Sequence, residues 1–214
     1  MKKTLKVYVL HMKKLEARIS RIMELLCRCY FVEDIEVITS ENSDLKFSAL
    51  AEKRKCLPQD FDVREFTTSE KSLYQKHFRA MKKISNDSQP AMILEDDVIF
   101  EPKNLDIFVQ QYFKFAERYD CVFFGTGCGL RLQGAGFIKN ENRLKSKCTD
   151  SFIITPEASR VFVENMTTEG AHTAIDWEMN YIFLKYNMDV YWYEPGVVYQ
   201  GSQTGLYSSE IKQK

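Results

Sequence analysis

The sequence predicts an α/β fold, a Rossmann-like, mostly parallel central sheet flanked by helices. Three observations carry this. Strand-like runs alternate with segments of helical apolar period along most of the chain. The run Ala91-Met92-Ile93-Leu94 is apolar without alternation, as in a strand buried on both faces of a parallel sheet. The apolar content of 44% supports a sizeable core, and no repeat or linker divides the 214 residues, so one domain over 1–214 is expected.

The elements follow in order. Leu5-Lys6-Val7-Tyr8-Val9-Leu10 reads as the first strand. Leu15, Ile19, Ile22, Met23 and Leu26 then recur at helical spacing, with Arg18 and Arg21 placed off that face. Ile35 to Thr39 reads as a second strand, and residues 40 to 70 are polar and irregular. Leu73, His77, Ala80, Met81 and Ile84 mark the next helix, broken by Asn86-Asp87-Ser88-Gln89-Pro90. After the Ala91–Leu94 strand, Leu105, Phe108, Val109, Tyr112, Phe113 and Ala116 form another helical face. Cys121 to Gly125 and Ser151 to Thr155 read as strands, and Pro156 suits the first turn of a helix. Ile175, Met179, Ile182, Phe183 and Tyr186 share one face of a last helix, and Val190 to Tyr193 closes the set as a strand before Glu194-Pro195-Gly196.

Thirty basic and thirty acidic side chains cancel, so no global field exists to hold nucleic acid. Apolar runs fall far short of the roughly 20 residues that span a bilayer. No signal-peptide core is evident after the basic start, which leads to the expectation of a cytoplasmic protein, free or peripheral to a membrane. The six cysteines show no paired CxxC spacing and are expected to be reduced, mostly buried thiols.

Two segments carry chemistry. Glu95-Asp96-Asp97 follows the buried strand directly. Three carboxylates there repel one another and lose hydration unless a cation or donor groups compensate them. The edge of an α/β sheet is where a hard divalent metal and a phosphate-bearing ligand would sit. A solvated acidic turn is the competing reading. The second segment, 127–147, holds four glycines and Arg131, Lys139, Arg143, Lys145 and Lys147 against Glu141 alone. It reads either as a mobile solvated loop or as a rim facing an anionic or polyhydroxylated ligand. The polar tail from about 200 to 214 is placed to close over a site.

An ordered set of motifs resembles glycosyltransferase family 25, the group that includes lipooligosaccharide and collagen galactosyltransferases. The set comprises Arg18-x-x-Arg21, Ser72 and His77, Ile93-Leu94-Glu95-Asp96-Asp97-Val98, Phe123-Phe124-Gly125-Thr126-Gly127-Cys128, Thr149-Asp150-Ser151-Phe152, Ile175-Asp176-Trp177-Glu178, Tyr191-Trp192-Tyr193-Glu194-Pro195 and Gln200-Gly201-Ser202. It covers residues 5 to about 209. Many members carry Ser-His where this chain has Lys76-His77.

The resemblance implies a GT-A-type fold and a UDP-hexose donor bound with Mn²⁺ through a DXD-like motif. A metal neutralises the leaving diphosphate. Asp97 is then the direct metal ligand, with Gln200 or Ser202 completing the shell. Glu95 faces the ribose or the base-proximal side, Asp96 serves either role, Arg18 either approaches the nucleotide or lies on a solvated helix face, and Asp150 either holds sugar hydroxyls or starts its strand with a turn. An inverting transfer needs a base for the acceptor hydroxyl, carried on a glycan or a protein. Asp176 is the candidate, held ionised by a helix N-terminus, with Glu178 as runner-up. The plainer reading of Asp176 is a Thr173-x-x-Asp176 capping box. Trp177 and Trp192 either stack on a sugar or base or, for Trp192 above all, pack in the core. Two rival functions remain: a catalytically silent sugar- or nucleotide-binding relative, and a phosphohydrolase, against which stand only three histidines.

Overall fold

The computed structural model describes residues 3–39, 45–47, 65–115, 119–141 and 147–208. Arg143 and Lys145 of the basic segment, most of the irregular stretch 48–64 and the tail beyond Ser208 lie outside the described residues.

The chain runs β1 (Leu5–Leu10), α1 (Glu16–Leu26), β2 (Val32–Ile38), α2 (Thr68–Ile84), β3 (Ala91–Glu95), β4 (Val98–Phe100), α3 (Pro102–Phe115), β5 (Cys121–Phe123), β6 (Gly136–Lys139), β7 (Ser151–Ile154), α4 (Pro156–Glu169), α5 (Ile175–Lys185), β8 (Val190–Glu194) and β9 (Val198–Gln200). Seven strands form one sheet in the order β2-β1-β3-β7-β5-β8-β6. β1, β2, β3, β5 and β8 point the same way, and β7 and β6 run against them. β4 and β9 make a separate antiparallel ribbon in which Val98 pairs with Gln200.

Helices cover both faces, which is why the central strands are apolar over most of their length. Alternate residues serve opposite sides. Tyr8, Leu10, Ala91, Ile93, Phe152 and Ile154 pack with α2, α4 and α5. Val7, Val9, Met92, Leu94 and Ile153 pack with α1 and α3. α2 starts at a complete capping box between Thr67 and Glu70, and α4 starts at Thr155 with Pro156 in its first turn.

Several expectations change. Arg18 lies on the buried face of α1 with Ile22 and Leu26, because its guanidinium has an acid to meet there. The basic segment is not a free loop where it is described. Gly136–Lys139 pairs with β8, and Lys139 pairs with Asp189 at 2.6 Å. Cys128 and Cys148 are joined in a disulfide across the ends of that segment, while Cys27, Cys29 and Cys121 are free thiols. The N-cap of α5 is Ala174, with no side-chain cap, so the Thr173-to-Asp176 capping box does not form. No described helix is long and apolar enough to cross a membrane.

Candidate active site

Chain direction gathers the polar groups at one sheet edge. β1 and β3 deliver His11 and Glu95-Asp96-Asp97 at their C-terminal ends, and antiparallel β7 delivers Asp150 at its start. Crevices at the carboxyl ends of α/β strands are where such folds hold ligands. The three acids are fixed through their main chain by three different neighbours. The Glu95 N–H donates to the Asp150 carbonyl at 2.9 Å, and the Asp96 N–H donates to the Leu10 carbonyl at 3.1 Å. The Gly201 N–H donates to the Asp97 carbonyl at 2.8 Å.

Their side chains differ sharply. Asp96 is engaged throughout. Its Oδ2 lies 2.8 Å from His11 Nδ1 and accepts from the Met12 N–H at 3.0 Å, and its Oδ1 accepts from Arg18 Nη1 at 3.3 Å. Arg18 also donates to the Ser208 carbonyl at 2.6 Å and sits 5.0 Å above the Tyr207 ring, so it ties the C-terminal segment to the cleft it lines. Glu95 accepts from Thr149 Oγ1 at 3.3 Å and lies 3.6 Å from Nε2 of His77, which is fully buried and stacked on Phe152.

Asp97, Asp150 and Gln200 are not engaged in this way. Asp97 Oδ1, Asp150 Oδ2 and Gln200 Oε1 are buried without a hydrogen-bond partner. Burial, and next the charge of Glu95, push the Asp97 carboxyl up to about 6, with Ser202 and Arg18 pulling the other way. Burial, then Glu95 and Asp97, push Asp150 well above the usual carboxylate range. Close packing makes the arrangement specific. A Cβ on Gly125 would run into Asp150 Oδ1 and Ser151 Oγ, and one on Gly201 would lie 2.6 Å from the Asp97 carbonyl oxygen. The β4–β9 pairing sets Gln200 beside Val98 and hence next to Asp97.

The donor set fits a hard divalent cation. Buried, unpartnered oxygens from a carboxylate and an amide are the ligand type such ions take. No three described His, Cys, Asp or Glu side chains converge as a protein-only metal cage.

Asp176 stands in the first turn of α5, near enough to Glu95 to feel its charge. Its carboxyl is raised, first by burial, against the backbone N–H groups of the turn that favour its ionised form. The helix N-terminus was expected to keep it ionised, and desolvation outweighs that effect. Asp176 shares a small recess with Lys147, Asn180 and Trp192. Trp192 is 1% exposed, a core residue capped by Lys147 Nζ at 4.8 Å from its ring. Lys147 pairs with Glu194 Oε1 at 3.0 Å, and Arg131 Nε approaches Glu194 Oε2 at 3.8 Å. Glu194 thus anchors both ends of the basic segment.

Glu178, the runner-up base, has a different task. It is fully buried, and Oε2 accepts from the His172 and Thr173 N–H groups at 2.7 and 3.0 Å, while Oε1 lies 3.0 Å from His172 Nδ1. These bonds fix the turn that leads into α5 and leave no oxygen to receive a substrate proton. Sequence reasoning gave His11 no role and did not pair Lys147 of the basic segment with Glu194, because the partners lie 85 and 47 residues away.

A larger cavity of about 660 Å³ lies away from the acids, beside β1, β2 and the end of α2. Several of its charges are engaged: Lys6 and Lys83 approach Glu36 at 3.4 and 2.9 Å, and Arg79 donates to the Thr39 carbonyl at 3.1 Å. Unpartnered buried polar groups are a stronger sign of a site than volume, and those of Asp97 and Gln200 line the acid cleft.

No protein-family model matches the chain, and no curated protein matches it in sequence. Solved structures do match. The inositol-1-phosphate CTP transferase from T. maritima superposes with a TM-score of 0.53 at 17% identity, over 96% of this chain and 92% of that one. S. aureus TarS gives 0.53 at 12% identity, over 98% of this chain and 67% of that one. The glycosyltransferase GlyE of Streptococcus pneumoniae gives 0.47 at 9% identity over 90% of this chain, which spans 45% of GlyE's length. The first two likenesses show the fold: a GT-A-type, Rossmann-like, mostly parallel sheet flanked by helices.

Proposed function

We propose that the chain is a metal-dependent glycosyltransferase that moves a hexose, galactose or glucose, from a UDP-sugar to a hydroxyl of a glycan or protein. Its motif order resembles that of family 25, and the proposal includes that kinship. One observation carries it: Asp97 Oδ1 and Gln200 Oε1, both lining the cleft at the carboxyl edge of the sheet, are buried and unpartnered, as is Oδ2 of the fully buried Asp150, which feels the charge of Asp97. A site built for no ligand has no reason to keep such oxygens dry.

In this reading Asp97 and Gln200 hold Mn²⁺ or a similar divalent cation. When bound, that cation supplies electrostatic neutralisation of the diphosphate leaving group. Glu95, braced by His77 and Thr149, faces the ribose. Asp150, held by the close approach of Gly125, faces the sugar hydroxyls. Asp176 accepts the proton of the acceptor hydroxyl as its oxygen attacks the anomeric carbon and the bond to the diphosphate breaks. Burial raises its proton affinity above that of an ordinary carboxylate, which favours a role as base. Asp96 supports the site by holding the β1–α1 loop against the acidic turn.

Calorimetric titration of UDP, UDP-galactose and UDP-glucose with Mn²⁺ and with EDTA tests the reading. Micromolar binding that EDTA abolishes is expected. Binding of none of them, with Mn²⁺ present, contradicts it.

A further inference from the structure

α2 presents Ser69, Leu73 and Lys76 to the acid cleft, at the spacing of a single helix face. Lys76 is 4% exposed and makes no hydrogen bond or ion pair with any described residue. The two cations among the described lining residues are therefore unlike. Arg18 is committed to Asp96, to the Ser208 carbonyl and to the Tyr207 ring. Lys76 is committed to nothing, although Asp96 and Glu95 stand near enough to favour its charged form against burial. Those two acids are themselves engaged, Asp96 by His11, Met12 and Arg18, and Glu95 by Thr149 and His77.

A lysine almost wholly withdrawn from solvent, with no acceptor for its ammonium, is costly to keep charged. A lysine stem has enough freedom to reach water unless its surroundings hold it in place. An amine kept at the rim of a ligand cleft therefore points to an anion that arrives with the ligand. A cleft already carrying Glu95, Asp96 and Asp97 repels any anion unless cations offset them, so the ligand must bring several charges close together to profit from both the amine and a divalent ion.

We propose that Lys76 is a diphosphate-binding residue, its ammonium donating to a phosphate oxygen of a nucleoside diphosphate in this cleft. This rests on the glycosyltransferase reading and names the part of the donor that Lys76 recognises. It gives the site a second positive charge besides the metal. It also makes the nucleoside diphosphate, rather than the nucleoside, the main source of donor affinity.

The test compares wild type, Lys76→Met and Lys76→Arg by calorimetry with UDP, inorganic diphosphate and Mn²⁺ alone, and by thermal unfolding without ligand. Lys76→Met is expected to weaken UDP and inorganic diphosphate about ten- to hundredfold, the scale of one charge-assisted hydrogen bond. It binds Mn²⁺ alone at least as tightly, because a neighbouring positive charge is gone, and it melts no lower than wild type. Lys76→Arg retains UDP affinity within a few fold. These opposite signs separate a phosphate contact from a packing role, which would lower every readout together. Unchanged UDP affinity in Lys76→Met overturns the proposal while leaving the glycosyltransferase reading intact. So does joint loss of UDP binding, Mn²⁺ binding and melting temperature, or a folded Lys76→Arg as weak as Lys76→Met. Failure of wild type to bind UDP, ADP, CDP or GDP with Mn²⁺ overturns both.

Discussion

His11 Nδ1 lies 2.8 Å from Asp96 Oδ2, with both side chains buried. The same carboxylate takes the Met12 N–H and the Arg18 guanidinium, so one acid joins the end of β1, the start of α1 and the end of β3. Asp96→Ala leaves a buried guanidinium and a buried N–H without their acceptor. A loss of about 3–5 kcal/mol in unfolding free energy is expected, measured by urea denaturation.

Asp97, its neighbour, behaves oppositely. Its carboxyl is raised from 3.8 to about 6, so between those pH values the cation-free folded protein holds a proton that the unfolded chain has released. Stability therefore falls as pH rises through that window, by about 2–3 kcal/mol. Asp97→Asn is expected to flatten this slope and to be at least as stable as wild type at pH 7, while losing cation-dependent donor binding. Chemical denaturation at pH 4, 5, 6 and 7 in EDTA reads the slope directly.

The two acids of α5 separate in the same manner. Asp176→Asn is expected to keep UDP binding and a wild-type melting temperature while transfer falls about 10²–10⁴-fold, the usual contribution of a general base. Glu178→Ala is expected to lose stability by about 2–4 kcal/mol, because two buried N–H groups lose their acceptor. Wild-type transfer by Asp176→Asn contradicts the base assignment.

The Lys147–Glu194 pair is fully enclosed, at 0% and 2% side-chain exposure. Lys147→Met leaves the Glu194 carboxylate with the Leu132 N–H at 3.3 Å and the more distant Arg131, and a loss of about 3–5 kcal/mol is expected by denaturant unfolding.

Much of the architecture was legible because it rests on local periodicity. The runs Leu5–Leu10 and Ala91–Glu95 are strands, and Pro156 opens a helix, as their residues predict. The acidic turn at a sheet edge was legible for the same reason, since a buried apolar run has to end where charges begin. What was hidden depends on partners remote in sequence. Nothing local distinguishes Asp96 from Asp97, and His11 and Arg18 decide the matter across 85 and 78 residues. Glu178 and Asp176 share one helical turn, yet Glu178 turns back onto the His172–Thr173 main chain while Asp176 enters the recess beside Lys147. Arg18 was placed off the apolar face by its charge, and the structure buries it because an acid waits there. β6 was hidden within a glycine-rich basic stretch whose pairing with β8 no local pattern announces. Cys128 and Cys148 meet only because the segment between them folds back.

The most direct test of the central claim is calorimetric titration of UDP into wild type and Asp97→Asn, each with Mn²⁺ and with EDTA. The account predicts micromolar binding to wild type with Mn²⁺, lost in EDTA and lost in Asp97→Asn while the variant remains folded. Equal UDP affinity in all four titrations, or no binding in any, would contradict it.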